Sequence, residues 1–356
     1  MPFFAGKTKT KKTRLRIDEG ADTILRSTLT PALTFPLVAS HDGPGSMNQT
    51  FSVGQFAKLP SGIQLHYASA GQPGDHLTLF LHGFPEYSGA WDEILPIVGQ
   101  RYFAVAPDLR GYNLSSQPQE LEAYRLRSVV EDLVDLILRL GYERATVVGH
   151  DWGGSAAWRL ASAHPERIEH LVIVNAPHPN ALARELSRNP AQQAASRHVN
   201  WLRARDMEQT LAADEFARLK DWLRSMPRAG HSWLTPERLR RYVEVWRRGL
   251  TGALNYYRAS PLHPAPESSQ GTAALRLNAE HFFVAVPTLV LWGMRDESLV
   301  SELLDGLDAW VPNVTIERFA AATHWIVHEE PERVAQRILE FMRAPQVLAQ
   351  APRTRQ

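Results

Sequence analysis

A chain of 356 residues is long enough for one large α/β domain with a further subdomain inserted into it. With 44% apolar and 22% charged residues it has an ordinary globular make-up, and a formal charge of +1 offers no general attraction to nucleic acid or an anionic membrane surface. The absence of cysteine removes disulfides, thiolate metal sites and a cysteine nucleophile together, without identifying the compartment.

Residues 1–46 differ from the rest of the chain. A basic cluster from Lys7 to Arg16 precedes Pro31 and Pro36, and Asp18, Glu19, Asp22 and Arg26 interrupt the apolar core that a signal peptide needs. A disordered extension or a start codon upstream of Met47 is expected here, with an unusual targeting segment as the alternative. No apolar run approaches the roughly 20 residues that span a bilayer. The expected location is cytoplasmic, with export left open.

From Phe51 short apolar runs alternate with amphipathic helices. Phe51 to Leu59 and Ile63 to Ala68 read as a hairpin turning through Pro60–Gly62. Leu77 to Leu81, closed by His82-Gly83, and Phe103 to Ala106, closed by Pro107-Asp108, read as strands buried on both faces. A helix is predicted from Tyr124 to Leu140 with Gly141 as its stop, then a strand over Ala145 to Val148. A helix from Ser155 to Ala163 and a strand from Leu171 to Val174 come next.

The alternation implies right-handed crossovers and a mainly parallel sheet flanked by helices. Between about Pro179 and Pro266 it stops, and only helical segments rich in Arg, Trp and Leu appear. It resumes with strands at Val286 to Trp292 and Val314 to Phe319 and a helix from Pro331 to Met342. The expected organisation is an α/β core over 47–178 and 267–345, a helical cap over 179–266 and a tail over 346–356.

The chemistry concentrates in Gly149-His150-Asp151-Trp152-Gly153-Gly154, a Gly-x-Asp-x-Gly turn between a buried strand and a helix. This is the pattern of a nucleophile elbow with aspartate at its centre. Glycines let backbone segments approach closely there, and the helix N-terminus behind the turn stabilises negative charge at Asp151. A carboxylate needs no base to attack carbon. Aspartate is also common in tight turns, so the elbow alone does not decide the matter. Three further segments close strands in the right chain order: His82-Gly83-Phe84-Pro85, Trp292-Gly293-Met294-Arg295-Asp296 and Ala321-Ala322-Thr323-His324-Trp325.

Over residues 51 to about 345 the chain resembles the α/β-hydrolase superfamily, in particular its epoxide hydrolase and dehalogenase branch. His82-Gly83-Phe84-Pro85-Glu86, Asp108-Leu109-Arg110-Gly111-Tyr112 and the Asp151 segment carry the likeness to soluble epoxide hydrolases. The resemblance implies an α/β-hydrolase fold, Asp151 as nucleophile, His324 as water-activating base and Asp296 as its acidic partner. The oxyanion hole would be the backbone N–H groups of Phe84 and Trp152. Asn113 stands where the family often has glycine, which should affect a turn rather than the reaction.

Epoxide opening and dehalogenation both begin with carboxylate attack on carbon, so the leaving group must separate them. An opening epoxide needs a proton donor, a departing halide only weak donors. Asn255-Tyr256-Tyr257 resembles the epoxide hydrolase cap motif, with Tyr257 as acid donor; packing between helices is the plainer role. The second donor, usually a tyrosine, aligns with His198, and a bacterial branch of epoxide hydrolases pairs histidine with tyrosine in this way. A solvent-facing His198 is the alternative.

Against dehalogenation, Phe84 replaces the halide-contacting residue, and Trp152 and Ser155 replace the paired arginines of haloacetate dehalogenases, with Arg159 one turn too late. Asp108 is expected to anchor a loop, His150 to pack behind the elbow, and His164, His178 and His328 to lack a chemical role.

The reading is therefore an epoxide hydrolase acting on a small, mostly apolar epoxide, without cofactor or metal. Nucleic acid and a membrane span are not expected as partners, and a monomer and a homodimer both stay open. Haloalkane or haloacid dehalogenation is the runner-up, and a non-catalytic ligand-binding protein on the same fold is the alternative of another class.

Overall fold

The computed structural model describes residues 51–225, 233–265, 277 and 279–344. The extension expected over 1–46 and the tail over 346–356 lie outside the described residues. The first strands, β1 (Phe51–Lys58) and β2 (Gln64–Ala70), pair antiparallel, as their alternation predicts. The turn between them closes with the Gly62 N–H donating to the Leu59 carbonyl at 3.0 Å, Gly62 taking φ 87°.

The remaining strands are β3 (Leu77–Leu81), β4 (Phe103–Pro107), β5 (Ala145–His150), β6 (Ile168–Val174), β7 (Thr288–Gly293) and β8 (Val314–Phe319). They run parallel to one another in an eight-stranded sheet of order β1-β2-β4-β3-β5-β6-β7-β8. Every residue of β3, β4, β5 and β7 is buried, the signature of a sheet covered on both faces.

Successive side chains point to opposite faces, so the sheet feeds two cores. Phe80, Val148, Val172 and Leu291 enter one, with α1 (Leu95–Val98) packed there. Leu79, Val147, Ile173 and Val290 enter the other, beneath α2 (Leu126–Arg139) and α3 (Trp152–Ala163). At about 1.5–3 kcal/mol for each fully buried Leu, Ile, Val or Phe, these layers dominate the stabilisation of the sheet.

Helix α2 matches its predicted span within two residues at each end. Helix α3 begins at Trp152, three residues earlier than the expected Ser155. Strand β5 continues to His150, so the chain reverses through Asp151 alone and no loop separates strand from helix.

Between β6 and β7 the described residues hold only helices. These are α4 (Pro179–Arg188), α5 (Pro190–Ala195), α6 (Arg197–Leu202), α7 (Met207–Ser225), α8 (Pro236–Arg247) and α9 (Thr251–Ala259). Thr235 caps α8 by accepting from the Arg238 N–H, with Pro236 in its first turn. Helix α7 breaks where Asp214, Glu215 and Phe216 all take positive φ. The chain then returns through β7 and β8 to α10 (Ile326–Glu329) and α11 (Pro331–Arg343), which close the first core. No helix among the described residues is long and apolar enough to cross a membrane.

Candidate active site

Asp151 sits at φ 51°, ψ −119°, a conformation that costs a non-glycine residue about 1–3 kcal/mol and persists only where the surroundings enforce it. The enforcing contacts are close approaches at two glycines, one to neighbouring backbone and one to the Asp151 side chain itself. A Cβ on Gly153 would lie 2.1 Å from the Leu81 carbonyl oxygen, and one on Gly83 would lie 2.2 Å from Asp151 Oδ1. The elbow therefore closes only with glycine at both places. Its effect is to lift the Asp151 carboxylate out at the carboxyl edge of the sheet, where the Phe84 N–H donates to Oδ1 at 2.8 Å. Trp152 begins α3, so its N–H lies in the first turn, where no intrahelical acceptor is available.

His324 follows β8 and Asp296 follows β7, adjacent strands of the sheet. His324 Nδ1 donates to Asp296 Oδ2 at 2.7 Å, which leaves Nε2 facing Asp151 Oδ2 at 3.8 Å. That separation is outside hydrogen-bond range. Burial opposes charge on His324, but Asp296, through its charge and hydrogen bond, outweighs it, and Asp151 and Glu86 add to the effect. The result is a pKa raised to about 9. Asp296 is buried too, yet His324 and the hydrogen bonds from Asn175 and the Ser298 N–H hold it below the usual carboxylate value.

Three further residues support the site, and of these only Glu86 falls within a motif that the sequence displays. Asn175, at the end of β6 with φ 38°, donates from Nδ2 to Asp296 Oδ2 at 2.7 Å and accepts from the Gly293 N–H at 2.8 Å. Glu329 accepts from the N–H and hydroxyl of Thr323 at 2.7 and 3.0 Å, bracing the loop just before His324. Glu86, fully buried, accepts from His328 Nε2 at 2.6 Å and from the Tyr242 hydroxyl at 2.7 Å, with His150 Nδ1 at 3.3 Å. Burial alone would raise Glu86, but His328 and His150 hold it well below the carboxylate range.

His150 turns away from the nucleophile, as expected, and does more than pack: its Nε2 donates to the His324 carbonyl at 2.9 Å. His328 is a core residue stacked on Trp233 at 3.9 Å. A motif search for Glu paired with a distant histidine would not find this cluster, because Glu86 and His328 are 242 positions apart.

Above Asp151 lies a largely apolar pocket. Its walls include Leu126, Leu182, Val199, Trp222 and Leu299, and Asp151, His198, Tyr257 and His324 are among its polar groups, with several serines. Tyr257 is buried in edge contact with Phe84 and Trp152, at ring separations of 5.4 and 5.0 Å. Burial, then the negative charge of Asp151, push its phenol well above the usual value, so it remains a proton donor. Tyr256 points elsewhere and donates to the Arg110 carbonyl at 3.0 Å. His198 lines the pocket rather than facing solvent, with Nδ1 donating to the Ala195 carbonyl at 2.9 Å.

Of the four tryptophans between β6 and β7, Trp222 shapes the pocket. Trp233 and Trp246 are buried, the latter donating to the Pro85 carbonyl at 2.7 Å, and Trp201 is exposed.

The remaining candidates are structural. Asp108 accepts from the Ser88 N–H, His66 and Asn113 at 2.6–2.8 Å and anchors its loop as expected. Asn113 takes φ 47°, the glycine-like turn expected there, and its amide secures the turn to Asp108. His178 caps α4 and donates to the Phe282 carbonyl, and burial lowers its pKa to about 4. His164 lies beside Glu131 and Glu166, partly exposed. Arg159 donates to the His281 carbonyl and is absent from the pocket wall, so no arginine follows the nucleophile into it.

Comparison with known proteins agrees with this fold. The family described as alpha/beta hydrolase fold matches residues 78–331. AB hydrolase superfamily protein YfhM of Bacillus subtilis is 36% identical over 287 residues, 80% of this chain and 96% of that protein. Epoxide hydrolase 4 of Mus musculus is 32% identical over 88% of this chain and 86% of that protein. The solved structure of Bacillus megaterium epoxide hydrolase in complex with an inhibitor superposes with a TM-score of 0.74 at 33% identity, covering 82% of this chain and 100% of that one. The chain belongs to the α/β-hydrolase fold family, and the epoxide hydrolases named here are its relatives within it.

Proposed function

We propose that the protein hydrolyses epoxides to vicinal diols through a hydroxyalkyl ester on Asp151. The observation that carries this reading is the line Asp151–His324–Asp296, whose first two members line an apolar pocket together with Tyr257 while Asp296 is buried behind them. Asp151 attacks a ring carbon, the C–O bond of the ring breaks, and Tyr257 donates to the departing oxygen, joined by His198 when that ring carries a second N–H.

His324 then takes a proton from water, which attacks the ester carbonyl while the N–H groups of Phe84 and Trp152 hold the oxyanion. Esterification removes the negative charge of Asp151, one of the influences that keep the imidazole protonated. The base is thus released by the step that creates its substrate. The helices over 179–266 act as a cap that encloses a mostly apolar epoxide, and the proposed location is cytoplasmic.

Blocking the second half-reaction tests the first. His324→Gln should accumulate an adduct equal in mass to the whole epoxide and mapped to Asp151, read by intact-protein mass spectrometry after incubation with epoxide and haloalkane panels. An alkyl gain with loss of halogen, seen only with haloalkanes, would overturn the epoxide assignment in favour of dehalogenation.

Tyr257→Phe should slow formation of the adduct by about 10²-fold and leave hydrolysis of the ester once formed unchanged. An unaltered alkylation rate in rapid-quench measurements would make the tyrosine a packing residue.

A further inference from the structure

His198 has already committed one of its ring hydrogens. Nδ1 lies 2.9 Å from the Ala195 carbonyl oxygen, and a carbonyl can only accept, so Nδ1 carries the hydrogen. A neutral imidazole has a single N–H. The neutral ring therefore offers the pocket only the lone pair of Nε2, which cannot donate to an epoxide oxygen and would repel the charge that grows there. The imidazolium alone keeps the Ala195 bond and still has a second N–H for the substrate.

The titratable groups around His198 come from several elements: Tyr257 on α9, Asp151 at the start of α3, Asp296 after β7 and His324 after β8. Trp222 of α7 packs against it at 5.8 Å. Burial, the largest influence, lowers its pKa. The bond to Ala195, then Asp151 and Asp296, work the other way, while His324 adds to the lowering. The net shift is downward from the ordinary histidine value, so the neutral ring predominates at neutral pH.

We infer that His198 serves ring opening only as an imidazolium, donating from Nε2 to the departing epoxide oxygen, so that alkylation quickens as pH falls. The inference rests on the epoxide reading above. In the step, an Asp151 oxygen forms a bond to a ring carbon and the carbon–oxygen bond of the ring breaks. The electron pair stays on oxygen, and the Nε2 proton moves to it, leaving neutral His198, which solvent reprotonates. Above the titration of His198, Tyr257 donates alone and the histidine lone pair opposes the developing alkoxide.

The test uses the trapping background, in which ester hydrolysis is blocked. Alkylation of His324→Gln by styrene oxide, with quenching and intact mass between pH 8 and pH 5, is compared with the same protein carrying His198→Tyr or His198→Gln. The tyrosine has a donor at every pH, and the glutamine does not titrate. Any other titrating group acts on all three proteins, so the ratio of the parent rate to each double variant isolates His198.

That ratio should rise by about tenfold or more on going from pH 8 to pH 5. A ratio that stays constant or falls, with adducts forming in all three, removes this inference and leaves the epoxide reading standing. Absence of adducts from styrene oxide, cyclohexene oxide and a terminal alkyl epoxide at every pH overturns the epoxide reading, and the inference with it.

Discussion

Asp151→Ala should lose turnover by at least about 10⁴-fold and form no adduct in the trapping background, because no other group at the elbow can attack carbon. The fold should survive. The carboxylate accepts the Phe84 N–H at 2.8 Å, and leaving that donor unpaired costs about 1–3 kcal/mol. Alanine at φ 51° keeps the strain of the elbow rather than relieving it. Chemical denaturation checks the fold, and single-turnover kinetics with an epoxide that labels His324→Gln checks the chemistry. Residual hydrolysis within a hundredfold of the parent would remove Asp151 from the role of nucleophile.

Asp296→Asn should separate the two half-reactions. Oδ2 of Asp296 accepts from His324 Nδ1 and Asn175 Nδ2, both at 2.7 Å, while Oδ1 accepts the N–H groups of Ser298 and Leu299. A carboxamide must set its NH2 against donors on one of these sides, and it lacks the charge that does most to raise His324 against burial. The imidazole then loses both its orientation and its preferred tautomer.

Ester hydrolysis is expected to fall by about 10²–10⁴-fold, and alkylation by far less, so that the adduct accumulates during turnover. In the parent, hydrolysis of the ester should be lost as pH falls through the titration of His324. Its midpoint should lie below about 9, because esterified Asp151 no longer holds the proton there. Equal losses in both half-reactions would show that Asp296 holds the site together rather than tuning the base.

Much of the architecture is legible in the residues alone. The strands predicted at Leu77 to Leu81 and Val314 to Phe319 match β3 and β8 at both ends, and the helical interval after β6 contains helices alone among its described residues. These features are encoded locally. A strand covered on both faces needs an uninterrupted apolar run, and an amphipathic helix needs its 3.6-residue spacing. The elbow is local too, since Gly149, Asp151 and Gly153 stand two residues apart. The order of Asp151, Asp296 and His324 could be read because each closes a strand.

The sequence by itself thus determined the sheet, the inserted helices and the identity of the residues that meet at its carboxyl edge. The tertiary structure alone decided how those residues are held and which hydrogen bonds they make. Asn175 reaches Asp296 across 121 positions and Glu86 reaches His328 across 242, and neither pairing has a spacing that periodicity could reveal. His198 shows the same division within three residues. Its position in the cap could be aligned, but only the Ala195 carbonyl at 2.9 Å selects the ring nitrogen that bears the hydrogen. Side-chain hydrogen bonds depend on distance and direction to the nearest partner in space, and only the packed chain supplies those.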